Sequence, residues 1–335
     1  MSKRITVAYS TYEWPDYLRI SLEAVYDFAD QVIVCWGPFK MWREICDHLG
    51  LPDRGQESRD IAEAFPDPDG KLRIIDGVFN DFTDSRNTWW PFVDGDWFLS
   101  LDTDEFYHPE ALLRIRQIID SLPDQVKRLD GIRREFIRDF WHTYDDDWYP
   151  LAGTAAQCKQ IKAETGLPLY HRTFQSGGYI LMEKGLSYNC VAIKYDPDCM
   201  WTPNVWDSHL VRTDGSRYFR GADEVHYTTD FEMYHYGPVL TDDQVLAKLI
   251  YHSWLRRPGA TIEYLHDYFL NKWGLHRHSH WDPHGAPNRS VKKYQGAHPP
   301  VIQRHPLYER YDSYFDDLQD GKIRGTIKRD GGGDQ

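Results

Sequence analysis

Strand-like and helix-like spacings of apolar residues alternate through the first 125 positions. Residues 4–10 are compact and β-branched, which predicts a strand, and Pro15 suits the first turn of a following helix. Leu18, Leu22 and Val25 then recur at helical spacing, and residues 31–36 have the composition of a second strand. A strand, a helix and a strand in this order predict a parallel pair joined by a right-handed crossover.

The alternation continues with a predicted helix over 41–49 and predicted strands over 71–75 and 97–101. Residues 53–70 are polar and rich in Pro, Gly and Asp, so we expect a long loop there. The strand at 97–101 is almost wholly apolar and is therefore expected to be buried on both faces. With a helix predicted over 109–122, the pattern indicates an α/β fold with a mainly parallel sheet.

The second half of the chain is harder to interpret until position 241. Residues 131–237 mix short strand-like runs with aromatic loops, and no topology follows from them. Thr241 and Gln244 then have the spacing of a capping box, Pro258-Gly259 marks the end of that helix, and another helix is expected from position 261 to 273. The predicted organisation is a main domain over 1–240, a mostly helical C-terminal extension over 241–329 and a disordered tail over 330–335.

Charge limits the partners that the chain can bind. The sequence has 39 Lys and Arg against 52 Asp and Glu, a net charge of −13, so its field repels polyanions and disfavours extended nucleic-acid binding. Arg133, Arg134 and Arg138 could form a local basic patch, although a solvated face is the simpler interpretation. The 13 Trp and 22 Tyr residues suit surfaces that bind sugars as well as hydrophobic cores.

Two further features bear on the cellular compartment. No run of about 18 apolar residues is present, and the N-terminus leads directly into a strand, so we expect a soluble, cytoplasmic protein. Five cysteines without CxxC spacing are expected to be reduced thiols.

The strongest chemical signal is an acidic motif directly after the apolar strand at 97–101. Asp102, Asp104 and Glu105 leave the strand together, and their mutual repulsion favours a bound cation. Oxygen ligands at this density suit Mg²⁺ or Mn²⁺, with coordination positions left for phosphate oxygens and water. In α/β sheets, ligands bind just beyond the carboxyl ends of strands, where this motif lies.

Together with Arg86-Asn87 upstream, this motif resembles that of the family 2 glycosyltransferases, which have the GT-A fold. Their pattern is an Arg-Asn pair, a hydrophobic strand and Asp-x-Asp-Glu, and the resemblance covers roughly residues 5–107. It implies a Rossmann-like, mixed, mainly parallel sheet, with a nucleotide-sugar-binding half over 1–125 and an acceptor half over 126–240. It also implies transfer of a sugar from a nucleotide-diphosphate donor, UDP-linked in our prediction, to an acceptor hydroxyl with inversion.

The resemblance assigns roles to individual residues. Asp104 would be a direct metal ligand, Asp102 would face the metal or the ribose, and Arg86 would reach the base or the diphosphate. The loop after the first strand, including Thr11 and Glu13, would approach the nucleotide. One departure is that Cys35-Trp36-Gly37 replaces the acidic pair that the family carries after its second strand, and Asp76 could substitute.

A second landmark is Tyr234-His235-Tyr236-Gly237, followed by Lys248 in the predicted capped helix. Many GT-A enzymes have a late histidine as a further metal ligand, and His235 resembles it, although a lone histidine is more often structural. Lys248 could neutralise phosphate, or it could be an ordinary surface lysine.

Inversion needs a carboxylate that deprotonates the acceptor hydroxyl. Asp207 and Glu224 are the candidates, and they are favoured over the run at 145–147. The acceptor could be a saccharide, a small metabolite, a protein or a modified DNA base.

Alternatives remain open at this level. His276, His278 and His280 alternate and could share one face and bind Zn²⁺, but a polar loop is the favoured interpretation, and recognition of phosphate or sugar by this C-terminal region is a third option. A strand that ends in Asp-x-Asp also occurs in aspartyl-phosphate phosphohydrolases, although there it is the first strand of the chain. A non-catalytic carbohydrate-binding protein is the third possibility.

Overall fold

The computed structural model describes residues 2–136, 139–144, 148–153, 170–173, 179–184, 187–203, 208–216, 218–219, 222–237, 239–256, 259–276 and 291–311. The helices are α1 (Pro15–Val25), α2 (Trp42–Leu49), α3 (Gly55–Glu63), α4 (Phe82–Trp89), α5 (Pro109–Ser121), α6 (Asp242–Arg256) and α7 (Ile262–His276). The strands are β1 (Ile5–Thr11), β2 (Gln31–Trp36), β3 (Leu72–Asp76), β4 (Trp97–Leu101), β5 (Glu105–Tyr107), β6 (Arg128–Glu135), β7 (His142–Tyr144), β8 (Trp148–Gly153), β9 (Tyr170–Thr173), β10 (Tyr179–Lys184), β11 (Ser187–Lys194), β12 (Cys199–Pro203), β13 (Ser208–Arg212), β14 (Val225–His235) and β15 (Val291–Lys293).

Within these residues, eight strands form the main sheet, in the order β3-β2-β1-β4-β11-β6-β14-β5. Strands β1 to β4, β6 and β14 run in the same direction, whereas β11 and β5 run against them. Helices flank this sheet, which confirms the predicted mixed, mainly parallel GT-A-type (Rossmann-like) fold class. Three small sheets lie outside it: β8-β10-β9, β12-β13 and β15-β7.

The main sheet opens beside the end of β4. Strand β11 pairs with β4 only through Ile193 and Lys194, near the start of β4. The chain therefore has room to turn after Leu101, and β5 pairs with the far end of β14, Glu105 opposite His235. The pairing of β5 with β14 brings the acidic motif to the carboxyl end of β14, more than 120 residues away in sequence.

The core follows from the predicted apolar pattern. Ile5, Val7, Val32, Val34 and Leu99 are completely or almost completely buried between the helices on one face of the sheet. The predicted capping box is confirmed: the backbone N–H of Thr241 donates to Oε1 of Gln244 (2.9 Å), and that of Gln244 donates to the hydroxyl of Thr241 (3.4 Å).

The long loop predicted over 53–70 is wrong, because α3 occupies much of it. The residues that α3 buries most deeply are small, namely Gly55, Ser58 and Ala62, and its one large apolar residue, Ile61, is only partly buried against the core. A Cβ on Gly55 would lie 2.2 Å from the ring of Tyr12, which shows how closely this helix approaches the end of β1. The buried face of α3 can therefore be recognised only once the residues that it packs against are known.

Four of the five cysteines lie in the described residues, and all four are free thiols: Cys35, Cys46, Cys190 and Cys199. None of the described helices is long and apolar enough to cross a bilayer. The predicted tail over 330–335 and His278 and His280 lie outside the described residues, and so do Arg138 and the run at 145–147.

Candidate functional site at the carboxyl edge of the sheet

Asp104 is the centre of the candidate site. Its side chain is buried, and its two oxygens have different surroundings. Oδ2 accepts a hydrogen bond from Nζ of Lys248 (2.9 Å), whereas Oδ1 meets no hydrogen-bond donor among the described residues. Nε2 of His235 lies 3.6 Å from Oδ1, which is too long for a hydrogen bond.

This arrangement fits a divalent cation. Octahedral metal–ligand bonds of about 2.1 Å place two neighbouring ligands about 3 Å apart, so the 3.6 Å between Asp104 and His235 would need to shorten by only about 0.6 Å on binding. The described residues contain no group of three or more His, Cys, Asp or Glu side chains that could hold an ion. Mg²⁺ typically takes one or two protein ligands and completes its shell with phosphate oxygens and water, so a two-ligand site suits a cation that binds together with a diphosphate.

Asp102 occupies a different position from Asp104. Its side chain is exposed, although protein surrounds it closely enough to raise its pKa, and the charge of Asp104 raises that pKa further. Arg86, Lys248 and His235 are near enough to lower it in part. Asp102 thus stands at the edge of the cluster, where it can contact a ligand, while Asp104 makes the internal contacts.

Glu105 belongs to this cluster, although sequence reasoning included it only in the acidic motif and gave it no separate role. Burial and the neighbouring charges of Asp102 and Asp104 raise its pKa to about 8, even though Arg133 opposes this shift. Its Oε2 accepts the backbone N–H of Asp102 (3.2 Å) and so shapes the turn that carries both aspartates. At neutral pH its carboxyl is mostly protonated.

The opposite behaviour of Asp104 comes from its cationic neighbours. Burial acts to raise its pKa, but Lys248, His235 and Arg133 outweigh burial and hold the pKa at about 2. Asp104 is therefore ionised under all ordinary conditions and available as a ligand.

Two residues of β6 lie beside Nδ1 of His235, the ring nitrogen that does not face Asp104. A guanidinium nitrogen of Arg133 lies 2.6 Å from Nδ1 of His235, and Oε1 of Glu135 lies 3.4 Å from the same nitrogen. Glu135 is paired with His235 in the β6–β14 register, so the strand pairing itself aligns them. Sequence reasoning considered Arg133 only as part of a surface patch.

Gly237 gives His235 and Lys248 their space. A Cβ at this position would lie 2.5 Å from Nε2 of His235 and 2.8 Å from Nζ of Lys248. Its φ is not in the left-handed region, so glycine is needed here for space rather than for backbone conformation.

The loop after β1 contributes a buried acid and a strained residue. Glu13 is 9% exposed, and burial together with the charge of Asp53 raises its pKa to about 7. The next residue, Trp14, has φ 66° and ψ 51° and packs edge-on against Trp42 at 5.8 Å. Left-handed backbone at a bulky residue costs about 1–2 kcal/mol and often marks functional loops. Thr11, two residues before Glu13, is buried, and its hydroxyl donates a hydrogen bond to the carbonyl of Glu13 (3.3 Å).

The two residues of the predicted Arg86-Asn87 pair make different contacts. Arg86 stacks over the ring of Trp201 at 5.0 Å and lies near Asp102. Asn87 instead anchors the backbone of β12, because its side chain exchanges two hydrogen bonds with Trp201 (2.8 and 2.9 Å).

Asp76 lies on the same edge of the sheet but far from Asp104. It ends β3, three strands away from β4, or about 14 Å at ordinary strand spacing. There it forms an ion pair with Arg59 (3.1 Å), whose guanidinium lies 5.6 Å from the ring of Trp36. The structure therefore does not bring Asp76 to the cluster around Asp104.

The two predicted base residues are not part of the described cluster. Glu224 precedes β14, where its carbonyl accepts the backbone N–H of Lys127, whereas His235 ends β14 opposite Glu135. The pairing of β14 is irregular, so β6 gives the separation, which is eight residues or about 26 Å. Glu224 forms an ion pair with Lys127, and the structure does not bring it to the site. Asp207 lies outside the described residues. A cavity of about 490 Å³ is lined by residues of α5, including Arg114, and by residues 226–230 of β14.

Comparisons with known proteins add little to this geometry. A scan against protein-family models finds no match, and a search of the curated proteins finds none either. Among solved structures, the chain is similar to glucosyl-3-phosphoglycerate synthase from Mycobacterium tuberculosis in complex with Mn²⁺, UDP and glucosyl-3-phosphoglycerate. The match is 12% identical, covers 39% of this chain and 44% of that chain, and has a TM-score of 0.29. It therefore spans less than half of that protein, and a similarity at this level carries no argument.

Proposed function

We propose that this protein is a metal-dependent glycosyltransferase that moves a sugar from a nucleotide-diphosphate sugar to an acceptor hydroxyl. The observation that carries the proposal is the surroundings of Asp104: a buried, ionised carboxylate with one oxygen lacking a donor and facing His235. Its other oxygen is held by a lysine from a distant helix. A donor diphosphate and its cation would complete this arrangement.

The charge of the site supports a donor that arrives with a divalent cation. The charged groups that influence one another here are the cations Arg86, Arg133 and Lys248 and the carboxylates Asp102, Asp104, Glu105 and Glu135. With Glu105 protonated, three positive charges face three negative ones. A diphosphate would add two negative charges to this balanced site, and a divalent cation would offset them.

The individual side chains then have definite tasks. Asp104 and His235 would hold the cation, which when bound neutralises charge on the leaving diphosphate. Lys248 and Arg86 are placed to donate to phosphate oxygens, and Asp102, at the exposed edge, would contact the ribose or the cation through water. Thr11, Glu13 and Asp76 lie along the same edge and would face the nucleotide.

The acceptor and the base are narrower proposals. Asp207 stays the candidate for the general base, and with it transfer with inversion, because Glu224 lies at the wrong end of β14. A UDP-linked donor also stays a proposal. The net charge of −13 favours a saccharide, a small metabolite or a protein as acceptor over a base in DNA.

Donor binding provides the test. A thermal-shift screen of nucleotide sugars should find one nucleotide that raises the melting temperature with Mn²⁺ or Mg²⁺ but not with EDTA. At a ligand concentration of 100 Kd, the stabilisation is about 2.7 kcal/mol, or about 4 °C for a chain of this length.

A matched pair of variants makes the test specific. Asp104→Asn should abolish the metal-dependent shift, whereas Asp94→Asn, which removes a half-exposed carboxylate paired with Arg4, should keep it. Shifts that are equal in EDTA, or that survive Asp104→Asn, would refute the proposal.

A further inference from the structure

Nδ1 of His235 faces two neighbours with opposite requirements. Arg133 approaches to 2.6 Å, and a guanidinium can only donate a hydrogen bond. Glu135 approaches to 3.4 Å, and an ionised carboxylate can only accept one. The imidazole therefore cannot satisfy both neighbours with the same nitrogen.

The shorter contact decides the tautomer of the neutral ring. If Nδ1 accepts from Arg133, it carries no hydrogen, and the ring hydrogen is on Nε2. Nε2 is the nitrogen that faces Oδ1 of Asp104 at 3.6 Å. In this tautomer Nε2 has no lone pair to offer a metal.

The longer contact, between Glu135 and Nδ1, favours the other tautomer of His235. A metal-binding histidine usually donates its other N–H to a carboxylate, which fixes both the tautomer and the ring orientation. Glu135 is placed to accept such a bond from Nδ1, and its position opposite His235 is set by the strand register. The ring hydrogen would then be on Nδ1, and Nε2 would be free to bind a metal.

We propose that Arg133 and Glu135 are positioning residues that select the tautomer of His235, so that His235 becomes a metal ligand only when Arg133 releases Nδ1. This inference rests on the proposed function, because it assumes that Asp104 and His235 share a cation. The exchange leaves the number of ring hydrogens unchanged: solvent takes one from Nε2 and returns one to Nδ1.

The neighbouring Arg134 offers a matched control. It is the next residue of β6 and also an arginine, but it forms an ion pair with Glu232 (2.7 Å) rather than with His235. Arg133→Met and Arg134→Met thus remove the same group from adjacent positions, and only the first should alter the imidazole.

The direct test is the ring-nitrogen NMR spectrum of ¹⁵N-histidine-labelled, metal-free protein, in which the His235 signals are identified by their loss in His235→Gln. We expect the Nε2–H tautomer in the wild type and in Arg134→Met, and the Nδ1–H tautomer in Arg133→Met. An Nδ1–H ring in the wild type, or no change in Arg133→Met, would overturn the inference.

Binding of Mn²⁺ alone, measured by loss of the free-ion EPR signal, provides the second readout. The dissociation constant should fall at least fivefold in Arg133→Met, stay within twofold in Arg134→Met and rise tenfold or more in Glu135→Leu. If the tautomer changes but the dissociation constant for Mn²⁺ stays within twofold of the wild type in both Arg133→Met and Glu135→Leu, the ligand role of His235 is refuted. If the tautomer does not change but Asp104→Asn still abolishes metal-dependent donor binding, the proposed function stands without this inference.

Discussion

Gly237→Ala is the most informative single substitution at the candidate site. The added methyl group would lie 2.5 Å from Nε2 of His235 and 2.8 Å from Nζ of Lys248, distances that ordinary contacts do not reach. His235 is 8% exposed and packed beneath the site, so its ring has little room to move. Lys248 has a flexible side chain and is expected to give way, which breaks its contact with Asp104.

Two magnitudes follow from this geometry. Overpacking of a close-fitting site costs about 1–3 kcal/mol, which lowers the melting temperature of a chain this long by about 1–4 °C. Displacement of His235 or Lys248 would remove the proposed metal ligand or the proposed phosphate contact, so Mn²⁺-dependent donor binding should weaken at least tenfold, equivalent to about 1.4 kcal/mol.

Gly50→Ala is the matched control. Gly50 has φ 66° at the end of α2, and a Cβ there would meet no atom within 4 Å. Alanine in that conformation costs about 1–2 kcal/mol through backbone strain, so stability should fall while donor binding stays unchanged. Isothermal titration calorimetry and thermal melts of both variants separate the two effects.

The double variant Gly237→Ala/Lys248→Ala identifies the displaced group. If the methyl group acts by displacing Lys248, the binding losses of the two single variants should not add. Donor affinity in Gly237→Ala within twofold of the wild type would refute the reasoning that this glycine keeps the site open.

Three other predictions follow from the same structure. His298 and His305 are buried, which lowers the pKa of each to about 4, so the unfolded chain binds more protons below pH 6.5. The free energy of unfolding should therefore fall as the pH drops from about 6.5 to 4, by up to about 3 kcal/mol per histidine, and urea melts of His298→Gln should show a shallower pH slope. Glu224→Gln should leave sugar-transfer turnover within twofold of the wild type, since its partner is Lys127, and a loss of a hundredfold in initial rate would restore it as the base. Ala62→Asp should destabilise the chain by about 2 kcal/mol or more in chemical denaturation, because it places an unpaired charge at a buried position of α3, whereas Glu63→Asp beside it should have little effect.

The sequence alone determined those features that depend on local pattern. Strands β1, β2 and β4 have runs of apolar side chains that are stable only inside a sheet. The N-terminal cap of α6 was predicted from the spacing of Thr241 and Gln244. The position of Asp102 and Asp104 after a buried strand was likewise predictable, because parallel strands end at a common edge. Helix α3 was not, since the residues it buries most deeply are small, and the closeness of Gly55 to Tyr12 appears only in the folded chain.

The side chains that meet at that edge come from distant parts of the chain, so their contacts depend on the folded arrangement. Lys248 reaches Asp104 across 144 positions of sequence, and Arg133 and Glu135 meet His235 because β6 and β14 are neighbours. Glu224 and His235 are separated by one strand, whose extended length carries them to opposite ends of the sheet. Local spacing specifies which residues leave a strand, but strand order and register specify their partners, and these depend on packing over the whole chain.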